Sequence, residues 1–183
     1  MYKESQIDIA INRSVYERIL NNIRTKAPVE IGVEVAVYMI MFGLIEDTNY
    51  IVADVNSMWK STANVYSISE DTKNFGAVPD LVIVRKDFNF GGNDKDDIKG
   101  ANGFIEVKSL ATNYNETAEI TSHKNNTHHF IWTNGIDWIY FHNLKEIWNI
   151  KLGENKSGSV LIDGLKFNEL LYRLNSIDWS EDN

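Results

Sequence analysis

The sequence predicts an α/β domain, a β-sheet flanked by helices. Helical stripes near both ends bracket a middle built of short β-type runs. A strong hairpin signal, Asn134-Gly135, sits between two apolar runs. The composition, 43% hydrophobic and 11% aromatic over 183 residues, suffices for the core of one folded domain.

The elements follow in order. "SVYERILNNIRTK" opens on Ser14 with Glu17 three residues later, a capping-box pattern, and places Val15, Ile19, Leu20 and Ile23 on one helical stripe. Pro28 restarts the chain, as a first helical turn tolerates. "VEIGVEVAVYMIMFGL" then sets Val33, Val37, Ile40, Met41 and Leu44 on one helix face, with Gly43 near its end. Strands are expected in "NYIVADVN", "NVYSIS", "PDLVIV" and "GFIEVKS". "TAEITSHKNN" reads as a helix, "HFIWTNGIDWIYFHN" as a hairpin, and "KEIWNIKL" as a further strand. "FNELLYRLNSI" spaces Phe167, Leu170, Leu171 and Leu174 as a helix does. Residues 87 to 102, charged and glycine-bearing, read as one long exposed loop. That loop is a poor calcium binder: counted from Asp94, Ile98 and Lys99 stand where an oxygen ligand and a glycine are required.

Composition narrows function. The absence of cysteine excludes disulfides, thiolate zinc sites and cysteine nucleophiles, and agrees with a cytoplasmic location. "MYKESQIDIAINRS" lacks the apolar run of a signal peptide, and "VEVAVYMIMFGLI" is too short to span a bilayer, so no membrane association is expected. The net charge of −8 works against phosphate binding unless a metal ion, a local basic patch or a partner offsets it.

One constellation carries chemistry. Alternation along "GFIEVKS" turns Ile105 and Val107 one way and Phe104, Glu106 and Lys108 the other. Pro79-Asp80 begins the preceding run, where a proline can forgo a ladder hydrogen bond. Antiparallel pairing of the two runs brings Asp80 to the strand end that holds Glu106 and Lys108. Two converging carboxylates raise each other's pKa, and a divalent cation relieves that conflict. Such a cation lowers the pKa of a bound water, while the lysine stabilises developing charge; together this is equipment for phosphodiester hydrolysis.

Pro79-Asp80 followed by Glu106-Val107-Lys108 resembles the PD-(D/E)XK signature of restriction-endonuclease-like nucleases. In order, a helical glutamate, "PDLVIV", "EVKS" and "IWTNGIDWIYF" resemble the amino-terminal nuclease domain of type I restriction motor subunits and their stand-alone relatives, over about residues 15 to 150. The resemblance implies a central mixed sheet flanked by helices, with a core of about 15–150; the whole, 1–183, is read as one domain in which residues 151–183 add a carboxyl-terminal strand and helix extension. It implies Asp80 and Glu106 as ligands of Mg²⁺ or Mn²⁺, the Val107 carbonyl as another ligand, and Lys108 as the catalytic lysine. It also implies a helix glutamate, for which Glu30 and Glu34 are candidates and Glu30 is preferred. DNA is the implied partner, with a homodimer expected because cutting two strands usually takes two sites. Many relatives carry glutamine and tyrosine on the helix after this motif; Glu119 and His123 stand there here.

Plainer expectations stand beside these. Asp80 can cap a turn, and Glu106 with Lys108 can be a solvated face. His123, His128 and His129 are expected to face solvent rather than bind metal, and Trp132, Trp138, Tyr140 and Trp148 to be core rather than base-stacking. Lys60, Arg85, Lys86 and Lys124 are the cations available to phosphate. The alternative function is an acidic protein-interaction module of the same fold, with a degenerate site, in a defence or counter-defence complex.

Overall fold

The computed structural model describes residues 12–26, 30–55, 78–89, 100–156 and 158–180. Two helices open it, α1 (Arg13–Lys26) and α2 (Glu30–Ile45). The strands β1 (Tyr50–Asp54), β2 (Leu81–Arg85) and β3 (Gly103–Val107) follow, then helix α3 (Ala118–Asn125). Next come β4 (His129–Thr133), β5 (Asp137–His142) and β6 (Lys145–Lys151), a hairpin of β7 (Gly153–Lys156) and β8 (Ser159–Ile162), and helix α4 (Gly164–Asn175). The expected strand "NVYSIS", Pro28, Lys60 and the loop positions Asp94, Ile98 and Lys99 lie outside the described residues.

The main sheet has six strands in the order β1-β2-β3-β4-β5-β6. Every neighbouring pair is antiparallel except β3 and β4, which run parallel. A parallel pair needs a crossover, and here the crossover carries α3. The sheet is therefore mixed and has helices on both faces.

Period-two alternation builds two cores. Leu81, Ile83, Ile105, Val107, Ile131 and Trp138 pack with α1, α2 and α4 on one face. Val82, Val84, Phe104, Phe130, Ile139 and Phe141 pack on the other, with Ile120 of α3. The expected apolar stripe of α2 is buried as read from sequence, with Val33, Val37, Ile40, Met41 and Leu44 all in the first core. Trp132, Trp138, Tyr140 and Trp148 are buried too, which removes them from any base-stacking surface.

Three helix starts are capped by side chains that satisfy otherwise orphaned amides. Thr117 accepts from the Ile120 N–H at 3.2 Å, and Asp163 accepts from Leu165 at 2.7 Å and Lys166 at 3.1 Å. At α1 the cap is Asn12, whose Oδ1 accepts from the Val15 N–H at 3.0 Å. Ser14 does not cap, because the helix already begins at Arg13; Glu17 instead reaches the Ile162 N–H at 2.7 Å and fastens α1 to β8. The extension over 151–183, expected as a strand and a helix, holds a hairpin in place of the single strand: β7, "GENK", is short and polar, while β8, "SVLI", buries Val160 and Ile162.

Candidate functional site

The antiparallel register of β2 and β3 pairs Leu81 with Ile105 and Val82 with Phe104. Continued by one residue, it sets Asp80 opposite Glu106. The Asp80 carboxylate closes that end of the ladder, with Oδ2 accepting from the Val107 N–H at 2.7 Å. Asp80 is 4% exposed and Glu106 1% exposed. Burial first, then the neighbouring Glu106 charge, pushes the Asp80 pKa up to about 7, although the Val107 amide and Lys108 pull it down.

Lys108 stands just beyond β3, anchored by its N–H to the Thr133 carbonyl at 2.8 Å. Its ammonium pairs with Glu106 Oε1 and lies 3.8 Å from Glu119. Burial lowers its pKa, but Glu106, Glu119 and Glu30 outweigh that effect and hold it above the ordinary lysine value. Lys108 is therefore an ammonium throughout the physiological range.

The two helix glutamates separate. Glu30 is exposed at the first residue of α2, and its charge raises the pKa of both Asp80 and Lys108. Glu34, one turn on, is 9% exposed among the core residues of α2. The sequence had placed Glu30 nearer the apolar stripe; packing buries Glu34 instead.

The turn after β4 supports this end of the sheet. Asn134 Oδ1 accepts from the Ile136 N–H at 2.9 Å and the Asp137 N–H at 2.7 Å, while its amide donates to the Thr112 carbonyl at 2.8 Å. Gly135 holds φ +87°, and a Cβ there would meet Val33 Cγ1 at 2.9 Å. The Tyr16 hydroxyl donates to the Gly135 carbonyl at 2.7 Å. "TNG" thus serves structure, tying α1 and α2 to the strand that anchors Lys108.

Helix α3 contributes what the sequence left aside. Residues four apart share a helix face, so Glu119 and His123 lie together over Glu106. His123 Nε2 is 3.2 Å from Glu106 Oε2. Phe104 meets the His123 ring edge-on at 6.0 Å, and Phe130 tilts against it at 6.1 Å. Among the described residues, Glu106, Glu119 and His123 form a group of potential ligand atoms all within 4.8 Å of one another, and such a group can hold a metal ion. Asp80 is not a member of it. The expectation that the three histidines face solvent fails for His123 and His129, each 2% exposed. His129 lies on the far side of the strand, hydrogen-bonded to the Tyr140 hydroxyl at 2.7 Å, and His128 contacts Asn143. The signal that marks His123 out was its i,i+4 spacing from Glu119 on a predicted helix.

Of the cations proposed for phosphate, the three among the described residues are engaged locally. Arg85 pairs with Asp87 at 2.9 Å, Lys86 donates to the Glu46 carbonyl at 2.8 Å, and Lys124 pairs with Glu116 at 3.1 Å.

No family model and no curated protein matches the chain. Among solved structures, a cryo-EM structure of a DrdV–DNA complex aligns with 89% of this chain at a TM-score of 0.53 and 14% identity. The aligned region is 13% of that chain, so this protein corresponds to a small part of it. At that identity the likeness is one of fold. The chain has a mixed α/β fold, a six-stranded sheet flanked by helices, consistent with restriction-endonuclease-like architecture. Among the described residues, no helix is long and apolar enough to cross a membrane.

Proposed function

We propose that this protein is a metal-dependent nuclease of the PD-(D/E)XK type that hydrolyses DNA phosphodiester bonds, with a role in restriction or defence. The observation that carries this is the β2–β3 register, which brings Asp80 opposite Glu106 with Lys108 paired to that same glutamate. The fold likeness to part of a DrdV–DNA complex supports DNA as the substrate.

The donor set fits a divalent cation. Two buried carboxylates, Asp80 and Glu106, with one lysine leave an excess of negative charge. Asp80, Glu106 and the Val107 carbonyl would hold Mg²⁺ or Mn²⁺. Bound there, the cation supplies Lewis acidity toward a phosphoryl oxygen and a water of lowered pKa. Lys108 remains protonated, so it acts as a fixed positive charge beside the phosphate and not as a base. Glu30 adds negative potential at the α2 terminus and helps retain the cation. The Val107 N–H fixes the Asp80 carboxylate, so the two acids keep their spacing without reorganising. A homodimer in the cytoplasm would present two such sites to the two strands.

Plasmid nicking in Mg²⁺ and in Mn²⁺ at low salt tests this, since an acidic protein loses DNA as ionic strength rises. Wild-type protein should nick, and D80A should not. Absence of nicking with either metal defeats the proposal. An acidic interaction module of the same fold is the second function, favoured by the net charge of −8 and by the local pairing of Arg85, Lys86 and Lys124. It predicts a protein that binds neither metal nor DNA.

A further inference from the structure

We propose that Glu106, Glu119 and His123 form a transition-metal site, selective for ions that take a nitrogen donor, such as Mn²⁺, Co²⁺ or Zn²⁺, over Mg²⁺ and Ca²⁺. The site lies on the α3 side of Glu106. It shares Glu106 with the Asp80, Glu106 and Val107 set but takes its other two donors from α3, and it stands whether or not the protein cleaves DNA.

Two buried atoms point into it. His123 Nε2 and Glu106 Oε2 are each buried without a hydrogen-bond partner, although they lie 3.2 Å apart. Their 3.2 Å contact is an ion pair only when the imidazole is protonated, and neither atom has a hydrogen-bond partner beyond it. Buried polar atoms without a hydrogen bond are costly, and a shared ion satisfies both at once. Donor atoms around one ion at ordinary bond lengths sit roughly 3–4 Å apart. The trio, all within 4.8 Å, needs only small side-chain movements to reach that spacing.

Ion choice follows from the donors. Imidazole suits borderline first-row metals, while Mg²⁺ and Ca²⁺ prefer an all-oxygen shell. His123 is held in place by Phe104 and Phe130, so the nitrogen is presented in one orientation. Glu119, with a side chain 39% exposed, offers the path from solvent.

Lys108 is the resident counter-charge. It pairs with Glu106 and approaches Glu119 to 3.8 Å, so it occupies the same two carboxylates that an ion would use. Metal and lysine therefore compete. Replacing Lys108 by methionine should tighten metal binding, the reverse of what a lysine merely stabilising the fold would give.

The full chain, titrated with Co²⁺ by visible absorption and with Mn²⁺ by electron paramagnetic resonance, tests the site without reference to cleavage. Wild-type protein should bind Co²⁺ in a form that excess Mg²⁺ does not displace. E119Q should weaken that binding by about tenfold or more, and H123Q should remove the nitrogen-ligand signature. D80N should keep the nitrogen-ligand signature of bound Co²⁺, and K108M should raise the affinity. Because Glu119 is partly exposed, E119Q keeps the fold, which circular dichroism verifies. Three outcomes overturn the site: no binding of Co²⁺ or Mn²⁺, displacement by equimolar Mg²⁺, or binding lost in D80N but kept in E119Q. Co²⁺ bound without nicking retains this site and defeats the nuclease; nicking without Co²⁺ binding does the converse.

Discussion

The Val107 backbone N–H donates to Asp80 Oδ2 at 2.7 Å, joining the start of β2 to the end of β3 through a side chain. That carboxylate does the work a backbone carbonyl does further along the ladder. It does so while buried beside Glu106, and its stability consequence depends on pH.

Asp80 has a folded-state pKa raised from 3.8 to about 7. The native state therefore holds a proton that the unfolded chain releases, and stability falls as pH rises from about 4 through about 7. Asn at this position keeps an oxygen acceptor for Val107 and carries no charge. D80N should stabilise the protein at pH 8 by on the order of 2–4 kcal/mol in metal-free buffer, and the gain should vanish near pH 4. Urea melts of both proteins across pH 4–8 give the answer; a pH-independent difference contradicts the burial of an ionisable Asp80.

Lys108 neutralises Glu106, which is almost fully buried. Truncation to alanine leaves that carboxylate without its cation, so K108A should lose about 1–3 kcal/mol at neutral pH as well as nicking activity. K108R should recover most of the stability, because a guanidinium also satisfies the carboxylate, but little of the activity, since the charge no longer sits at one point. Equal loss of stability in both variants speaks against an ion-pair role.

The two glutamates of α2 should part company in mutagenesis. Glu30 is exposed and acts on Asp80 and Lys108 through its charge. E30Q is expected to change stability by less than about 0.5 kcal/mol and to reduce nicking. E34Q removes charge from a buried position and should alter stability more than nicking. Parallel thermal melts and nicking assays distinguish the pair, and a fully active E30Q excludes Glu30 from the site.

Gly135 combines φ +87° with contact distances that admit no Cβ, 2.9 Å to Val33. G135A should destabilise by about 2–3 kcal/mol from backbone strain and overpacking together. Because Thr133 of the same turn anchors Lys108, its chemical shifts at Lys108 should move too. An unperturbed amide spectrum around residues 106–109 rules out this coupling.

Much of the architecture was legible. Helix α2 announced its buried face, and Asn134-Gly135 announced the turn between β4 and β5, since both depend on spacing along one segment. The β7–β8 pairing escaped because β7 is short and polar; β8 is held by Val160 and Ile162 in the core and by Glu17 and Asn21 of α1. The cap of α1 also escaped, because Asn12 and Ser14 both fit a capping role and only the backbone path chooses between them.

The sequence by itself determined that Ile105 and Val107 point one way and Phe104 and Glu106 the other, because a strand repeats every two residues. It also determined that Asp80 and Glu106 meet if β2 and β3 pair as a hairpin does. Tertiary structure alone decided that Glu34 is buried and Glu30 is not, and that Glu119 and His123 descend on Glu106. Those outcomes rest on how α2 and the α3 crossover seat against opposite sheet faces, and local propensity carries no information about which helix face meets which strand.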